Sequence, residues 1–353
     1  MSTDQRFRNY RLSAEAGGAP FRIDDWYRCP VPRKRLKALM RRSDRPALRD
    51  YGLWLALLAG SGALATLSWG SWLAVPALLV YGVLYASAAE SRFHECLHRT
   101  PFRTRWLNEL CLHVTGFMAL KNSLLWRWSH TRHHSETVVV GRDPEIAYPR
   151  PPDLWGMALN LLHLRAGPTE LKKTLRHAVG VMTDGERSFV PEGERPTVVR
   201  VARIHLAILA LTGLAAILSQ SWLPVLFVGL PTFYGSWLHH AMSAMQHAGL
   251  AEDVPDHRLN SRTVILNPVL AFIYSNMNYH LEHHMFPMVP SYALPALHEA
   301  IKGDCPPPYR GVIAAYREIL PALWKQQRDP GYFVPRPLPA GAGATPDVTL
   351  AAA

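Results

Sequence analysis

Three pentapeptides hold eight of the chain's 17 histidines: His94-Glu-Cys-Leu-His98, His130-Thr-Arg-His133-His134 and His280-Leu-Glu-His283-His284. Random placement at this composition would put fewer than one histidine in those fifteen positions. Spacing adds to number. Residues three and four apart share one face of an α-helix, so each pentapeptide offers two or three imidazoles from a single side. Imidazole is a ligand for iron, zinc, copper and nickel. Eight exceed the four positions of a structural zinc and suit two metals. No matching set of ligating carboxylates accompanies them, so the pattern is that of a histidine-rich dinuclear centre and not a glutamate-rich bundle site. The first pentapeptide also reads His-Glu-x-x-His, the zinc-protease pattern with Glu95 as general base. That alternative needs one further ligand and leaves the other two pentapeptides unexplained.

Such side chains need a scaffold, and the charge pattern supplies one. The mean hydropathy of −0.04 resembles that of a soluble protein, but the charges are clustered. Tyr51 to Ala89 and Ile204 to Ala251 contain no Asp, Glu, Lys or Arg. Each stretch is about twice the roughly 20 residues of one membrane span. The first divides at Ser68-Trp-Gly-Ser71 and the second at Ser219-Gln-Ser-Trp222, short uncharged turns with interfacial Trp. The expectation is an all-α integral membrane protein. Four spans, near 51–68, 72–89, 203–219 and 222–241, form two hairpins under a cytoplasmic helical cap that holds the histidines.

The two turns carry no basic residue, whereas the first 50 residues carry 13 Lys and Arg and 91–201 carry 16. The positive-inside rule therefore places both termini and the histidine pentapeptides in the cytoplasm. The basic run from Arg33 to Arg49 abuts the first apolar stretch, which makes it a membrane flank and not a nucleic-acid site. Residues 1–50 form this flank, 51–330 the membrane metal domain, and the Pro/Ala/Gly-rich 331–353 a tail expected to be disordered. The four cysteines include no CxxC pair. This excludes a disulfide scaffold and a Cys-ligated iron–sulfur or structural zinc site.

The combination of HxxxH, HxxHH and a later HxxHH, with paired spans between the second and third, resembles the membrane fatty acid desaturase/hydroxylase superfamily over roughly residues 45–300. Gln246-His-Ala-Gly-Leu, Asp256-His-Arg-Leu-Asn-Ser-Arg262 and Asn278-Tyr-His-Leu-Glu-His-His-Met-Phe-Pro287 look most like its bacterial hydrocarbon oxygenase or rhizopine-catabolism oxygenase branch. The resemblance implies two non-haem irons that use O2 and two electrons to desaturate or hydroxylate an unactivated C–H of a lipid or fatty-acyl substrate. Oxygenation or dealkylation of a small non-lipid molecule is the alternative. It further implies a bacterial inner-membrane location. The implied ligands are His94, His98, His130, His133, His134, His280, His283 and His284, with His247 as a ninth. The family's acyl-CoA desaturases place an Asn one turn before that ninth His; here the position is Ser243, where a water would substitute.

Metal-bound imidazoles usually donate their other N–H to a neighbouring group. Glu95, Asp143, Asp256, Asn260, Asn278 and His240 are the candidates for that role, and Glu145 lies near them in sequence. Ligands alone do not decide between alkene and alcohol. The chain has no haem, cluster or nucleotide motif, so electrons must come from a separate ferredoxin, Rieske-type protein or rubredoxin, which the basic face would steer if the donor is acidic.

Overall fold

The computed structural model describes residues 10, 12 and 21–346. The fold is helical. The only paired strands among the described residues are β1 (Val264–Ile265) and β2 (Tyr309–Arg310), a two-residue parallel pair. A short helix α1 (Arg33–Leu39) precedes α2 (Asp44–Leu67) and α3 (Ala74–Leu97), the first antiparallel pair. Then come α4 (Arg105–Met118), α5 (Ser123–Ser135), α6 (Leu154–Asn160), α7 (Ala166–Ala178) and α8 (Asp184–Phe189). The long α9 (Arg195–Ser219) is followed by three pieces, α10 (Leu223–Phe227), α11 (Pro231–Gly235) and α12 (Trp237–His247). The chain continues with α13 (His257–Asn260), α14 (Pro268–Ile273), α15 (His280–Met285), α16 (Leu294–Ile301) and α17 (Val312–Gln326).

Three helical stretches are long and apolar enough to cross a membrane: Arg33–Leu67, Ala74–Leu97 and Glu192–Ser219. The fourth expected span, 222–241, is not one helix. Gly229 adopts a left-handed φ of 86°, and Pro231 follows at the start of α11. Proline lacks a backbone donor and glycine carries little helical preference, so the ladder breaks there although hydropathy is uninterrupted. The broken segment lies against α3, where Gly82 meets Gly235: a Cβ on Gly235 would overlap the Gly82 carbonyl.

α3 itself contains a π-helical turn, Val83–Ser87. Such turns widen the helix and leave carbonyls to be satisfied elsewhere. Here the Trp54 indole N–H donates to the Leu84 carbonyl at 2.8 Å. Ser87 Oγ donates to the Gly235 carbonyl at 2.6 Å and accepts from His239 N at 2.9 Å. The turn sits two helical turns before His94 and ties α3 to the broken segment.

α7 is amphipathic with its faces reversed for a soluble protein. Leu164, Leu171, Leu175 and Val179 are exposed along one stripe. The opposite face buries His163, Gly167, Glu170, Thr174 and His177. An outward apolar stripe matches an apolar surrounding. The expected disordered tail lies partly outside the described residues, from 347 on. Up to 346 it has no helix or strand but is held down: Val334 is buried against Leu250 and Ala322, and Thr345 Oγ1 donates to Asp256 at 3.0 Å. Composition gave no hint of these contacts because they are made to residues far away in the chain.

Candidate metal centre

α3 delivers His94 and, at its C-cap, His98. α5 starts at Asn122, whose side chain accepts from Leu125 N, and places His130, His133 and His134 on its last turns. α12 ends on His247. α15 carries His280, His283 and His284. These nine residues form two groups: His94, His98, His130, His134 and His283, and His133, His247, His280 and His284. Within each group the potential ligand atoms all lie within 4.8 Å of one another. All nine expected ligands are therefore brought together.

The short contacts are between ring nitrogens. In the five-histidine group, His130 Nε2 stands 2.9 Å from His98 Nε2 and 3.1 Å from His134 Nε2, which stands 3.1 Å from His283 Nε2. In the four-histidine group, His280 Nε2 is 2.9 Å from both His247 Nε2 and His284 Nε2. In four rings the other nitrogen already fixes the tautomer. His130 Nδ1 donates to Glu145 at 2.9 Å and His133 Nδ1 to Asp143 at 2.8 Å. His247 Nδ1 donates to the Asn260 carbonyl at 2.7 Å. Thr137 Oγ1 donates to the His133 carbonyl at 2.7 Å, so it accepts from His284 Nδ1 at 3.1 Å. Four rings thus turn a bare Nε2 lone pair towards their neighbours. A bare imidazole nitrogen is the form that binds a cation. With a metal–nitrogen distance of about 2.0–2.1 Å, two ligands at right angles stand about 2.9 Å apart, so the observed spacing is that of ligand edges.

Electrostatics agree. Burial, reinforced by the facing imidazoles, holds His98, His134, His280, His283 and His284 well below the ordinary histidine value. His247 is lowered likewise. Burial also lowers His130, against the pull of Glu145. Burial would raise Glu145, but His130 and His133 and the hydrogen bonds from His130 and Ser129 outweigh it and hold the carboxyl at about 2. A neutral His130 donating to an ionised Glu145 satisfies both directions and is the form a metal requires. His133 alone is raised: burial pulls it down, but the buried Asp143 prevails.

A family model described as "Fatty acid desaturase" matches residues 70–316, well over half of the chain. The chain belongs to the fatty acid desaturase family. A protein of Bacillus subtilis (strain 168) described as "Fatty acid desaturase" is 26% identical over 269 residues, which cover 70% of this chain and 72% of that protein. The matched region contains all nine histidines.

The supporting residues of this desaturase-family site divide into those the sequence anticipated and those it did not. Asp143 holds His133 and also accepts from Val138 N at 2.7 Å. Asn260 supports His247 through its backbone carbonyl and not through its side chain. Glu95 accepts from Ser291 N at 3.0 Å and lies 4.0 Å from His283 Nδ1, behind the ring. It faces away from the converging nitrogens, which leaves the zinc-protease alternative without its base. Asp256 caps α13 and pairs with the buried Arg258 at 2.7 Å. Asn278 Nδ2 donates to the Val264 carbonyl at 2.8 Å. Neither side chain supports a ligand ring; both stabilise the backbone that carries the site. His240 Nε2 contacts His163 Nδ1 at 3.1 Å, outside both groups.

Sequence reasoning missed Thr137, three residues after the second pentapeptide. It also missed Glu282, which accepts from His298 at 2.5 Å and from Thr263 at 2.7 Å and locks α15 from behind. Glu282 was visible inside the third pentapeptide, on the face opposite the ligands.

Small spaces lie against the histidine groups, and a larger cavity lies next to them. A small one, about 90 Å³, is lined by His94, His130, His133, Ser243, His247 and His280 and has room for several waters. Ser243 Oγ contacts Tyr148 Oη at 3.3 Å there. A larger cavity of about 630 Å³ shares Glu145, Tyr148 and Ser243 with it, a volume in the range of small-molecule sites.

Proposed function

We propose that the two histidine groups hold two irons and that the protein is an O2-dependent membrane oxidoreductase acting on a C–H bond of a lipid or acyl substrate. The supporting observation is the pair of convergent histidine sets, five and four, with Nε2–Nε2 edges of 2.9–3.1 Å and four of the nine rings held from behind at Nδ1. When bound, iron supplies the oxidation of the C–H bond with O2. The balance is R–CH2–CH2–R′ + O2 + 2 e⁻ + 2 H⁺ to R–CH=CH–R′ + 2 H2O for desaturation. For hydroxylation it is R–H + O2 + 2 e⁻ + 2 H⁺ to R–OH + H2O. The electrons come from a separate ferredoxin, Rieske-type protein or rubredoxin.

The chain's own residues do the rest. Asp143, Glu145, Thr137 and the Asn260 carbonyl orient rings and fix which nitrogen carries the proton. Tyr148 and Ser243 stand between the small space and the large cavity, where a substrate would be held for the choice between second hydrogen removal and oxygen insertion. The apolar outward stripe of α7 and the three long helices support a membrane location. Both termini and the site then lie on the cytoplasmic side of a bacterial inner membrane, with the 222–241 region completing the second hairpin as a broken element. The basic flank steers an acidic donor. Turnover with such a donor is expected to slow as salt rises, and a salt-independent rate would remove the steering claim. The test of the function is metal analysis after anaerobic iron loading, followed by reduction and O2 uptake. Product analysis then separates alkene, alcohol and dealkylated fragment.

A further inference from the structure

The large cavity has two unlike walls. Leu154, Met157, Leu161 and Leu320 line one, from α6 and α17. The other is a continuous polar row of Trp126, Lys121, Glu90, His239, His240 and His163. Lys121 Nζ contacts Glu90 Oε1 and lies 3.7 Å from the Trp126 ring centroid. Glu90 Oε1 is 3.9 Å from His239 Nε2. The His239 and His240 rings are 5.7 Å apart, and His240 contacts His163. A second small space places Glu90, Lys121, Trp126 and His239 beside His94 and His130. The polar row therefore adjoins the metal ligands.

This wall is not suited to a plain hydrocarbon chain. Filling the space with CH2 groups would strip water from Lys121, Glu90 and the imidazoles without replacing its hydrogen bonds, which is unfavourable. Trp126 Nε1, His163 Nε2 and His239 Nδ1 have no hydrogen-bond partner in the wall itself. Within the row the ammonium of Lys121 meets the carboxylate of Glu90, and the two other carboxylates of the cavity are already partnered, Glu170 by Lys173 at 2.7 Å and Glu145 by His130 at 2.9 Å. Burial lowers His163 from its ordinary value and so keeps it neutral. A neutral wall of donors and acceptors fits a neutral oxygen function better than a carboxylate, phosphate or ammonium.

We propose that this row is a subsite for a hydroxyl, carbonyl or ether oxygen of the substrate, and that the carbon to be oxidised lies within a few bonds of that oxygen. The rest of the molecule lies against the Leu154–Leu320 wall. The proposal rests on the reading of the histidine groups as the oxidising centre. Oxygen insertion at a carbon next to an ether oxygen would consume O2, two donor electrons and two protons. It would release one water and leave a hemiacetal that breaks into a carbonyl compound and an alcohol.

The test uses the full chain in detergent micelles, loaded with Mn²⁺ as a paramagnetic probe, with 1-decanol, decane and decanoate as ligands. Proton relaxation reports which end of each ligand approaches the metal. The protons on the first two carbons of 1-decanol should relax fastest and the terminal methyl slowest. Decane should bind about tenfold more weakly, the order of one hydrogen bond to a buried partner. In the double variant Lys121→Met/Glu90→Gln and in His163→Phe, that preference should vanish while the metal content stays unchanged; should the double variant lose metal, His163→Phe carries the comparison. The subsite is overturned if the methyl relaxes fastest, if decane binds as tightly as 1-decanol, if decanoate binds tightest, or if His163→Phe keeps the preference. Failure of the unsubstituted chain to take up two metals overturns the metal-centre reading instead.

Discussion

The five-histidine and four-histidine groups share two of the four helices that carry the nine histidines, α5 and α15, yet they are supported in different ways. In the four-histidine group, His133, His247 and His284 are anchored at Nδ1 by Asp143, the Asn260 carbonyl and Thr137. In the five-histidine group only His130 has such an anchor, in Glu145. His94, His134 and His283 have no hydrogen-bond partner at Nδ1. One group relies on oriented rings and the other on ligand number, while the small space beside Ser243 touches both, through His133, His247 and His280 and through His94 and His130. The smaller set thus has its rings preoriented, which suits a position left open to a small molecule.

Ligand removal should break the two groups unequally. His280→Ala leaves three imidazoles and should abolish turnover and lower bound metal from two per chain to one. His98→Ala leaves four and should retain two metals with weaker affinity, while activity falls more than about 100-fold through altered geometry. Equal metal loss in both variants, measured by elemental analysis, would contradict the distinction.

The carboxylates sharpen it. Asp143→Asn should weaken metal retention by about 10–100-fold, because Asp143 holds both His133 and the Val138 amide. Glu145→Gln should sit at the low end of that range, since a neutral amide oxygen still accepts from His130. Competition with a chelator ranks the two, and the reverse order would show that the five-histidine group is the more dependent on its anchor.

Acid should separate the metal-free chain from the loaded one. Seven of the clustered rings, His98, His130, His134, His247, His280, His283 and His284, have folded values below the ordinary 6.5 or so. The unfolded chain then binds more protons, and stability must fall as pH drops through about 6.5. His133 works in the opposite sense. Its stabilisation by Asp143 is fully present below about 6.5 and is lost as pH rises through its raised folded value. Seven against one predicts a melting temperature that falls steeply from pH 7 to 5 after chelation. Metal-loaded chain should show the drop at lower pH, because metal must be displaced first. A flat profile in the chelated chain would refute the buried neutral rings.

The smallest effect expected is that of Thr137→Val, which removes the His284 acceptor. It should cost about 0.5–1.5 kcal/mol of stability, read by thermal or denaturant melting, and a few-fold in metal affinity.

The histidine clusters were legible in the sequence because helical spacing alone puts His130 and His134, or His280 and His284, on one face. Support was legible by residue type but not by partner. Asp143 contacts a clustered ring, that of His133, whereas Asp256 serves as a helix cap and Asn278 as a backbone tie, because either role suits such a residue beside a turn. Thr137 gave no signal, as one hydroxyl among many. The fourth span illustrates the limit of hydropathy: Gly229 and Pro231 break the helix without adding charge. The polar row was hidden because Lys121, His163 and His239 meet only through tertiary packing.

The most direct test of two adjacent metal centres is the iron content of the full chain after anaerobic loading, measured together with O2 uptake on reduction. The proposed function predicts two irons per chain and O2 consumption that requires both. One zinc per chain with no O2 uptake would contradict it.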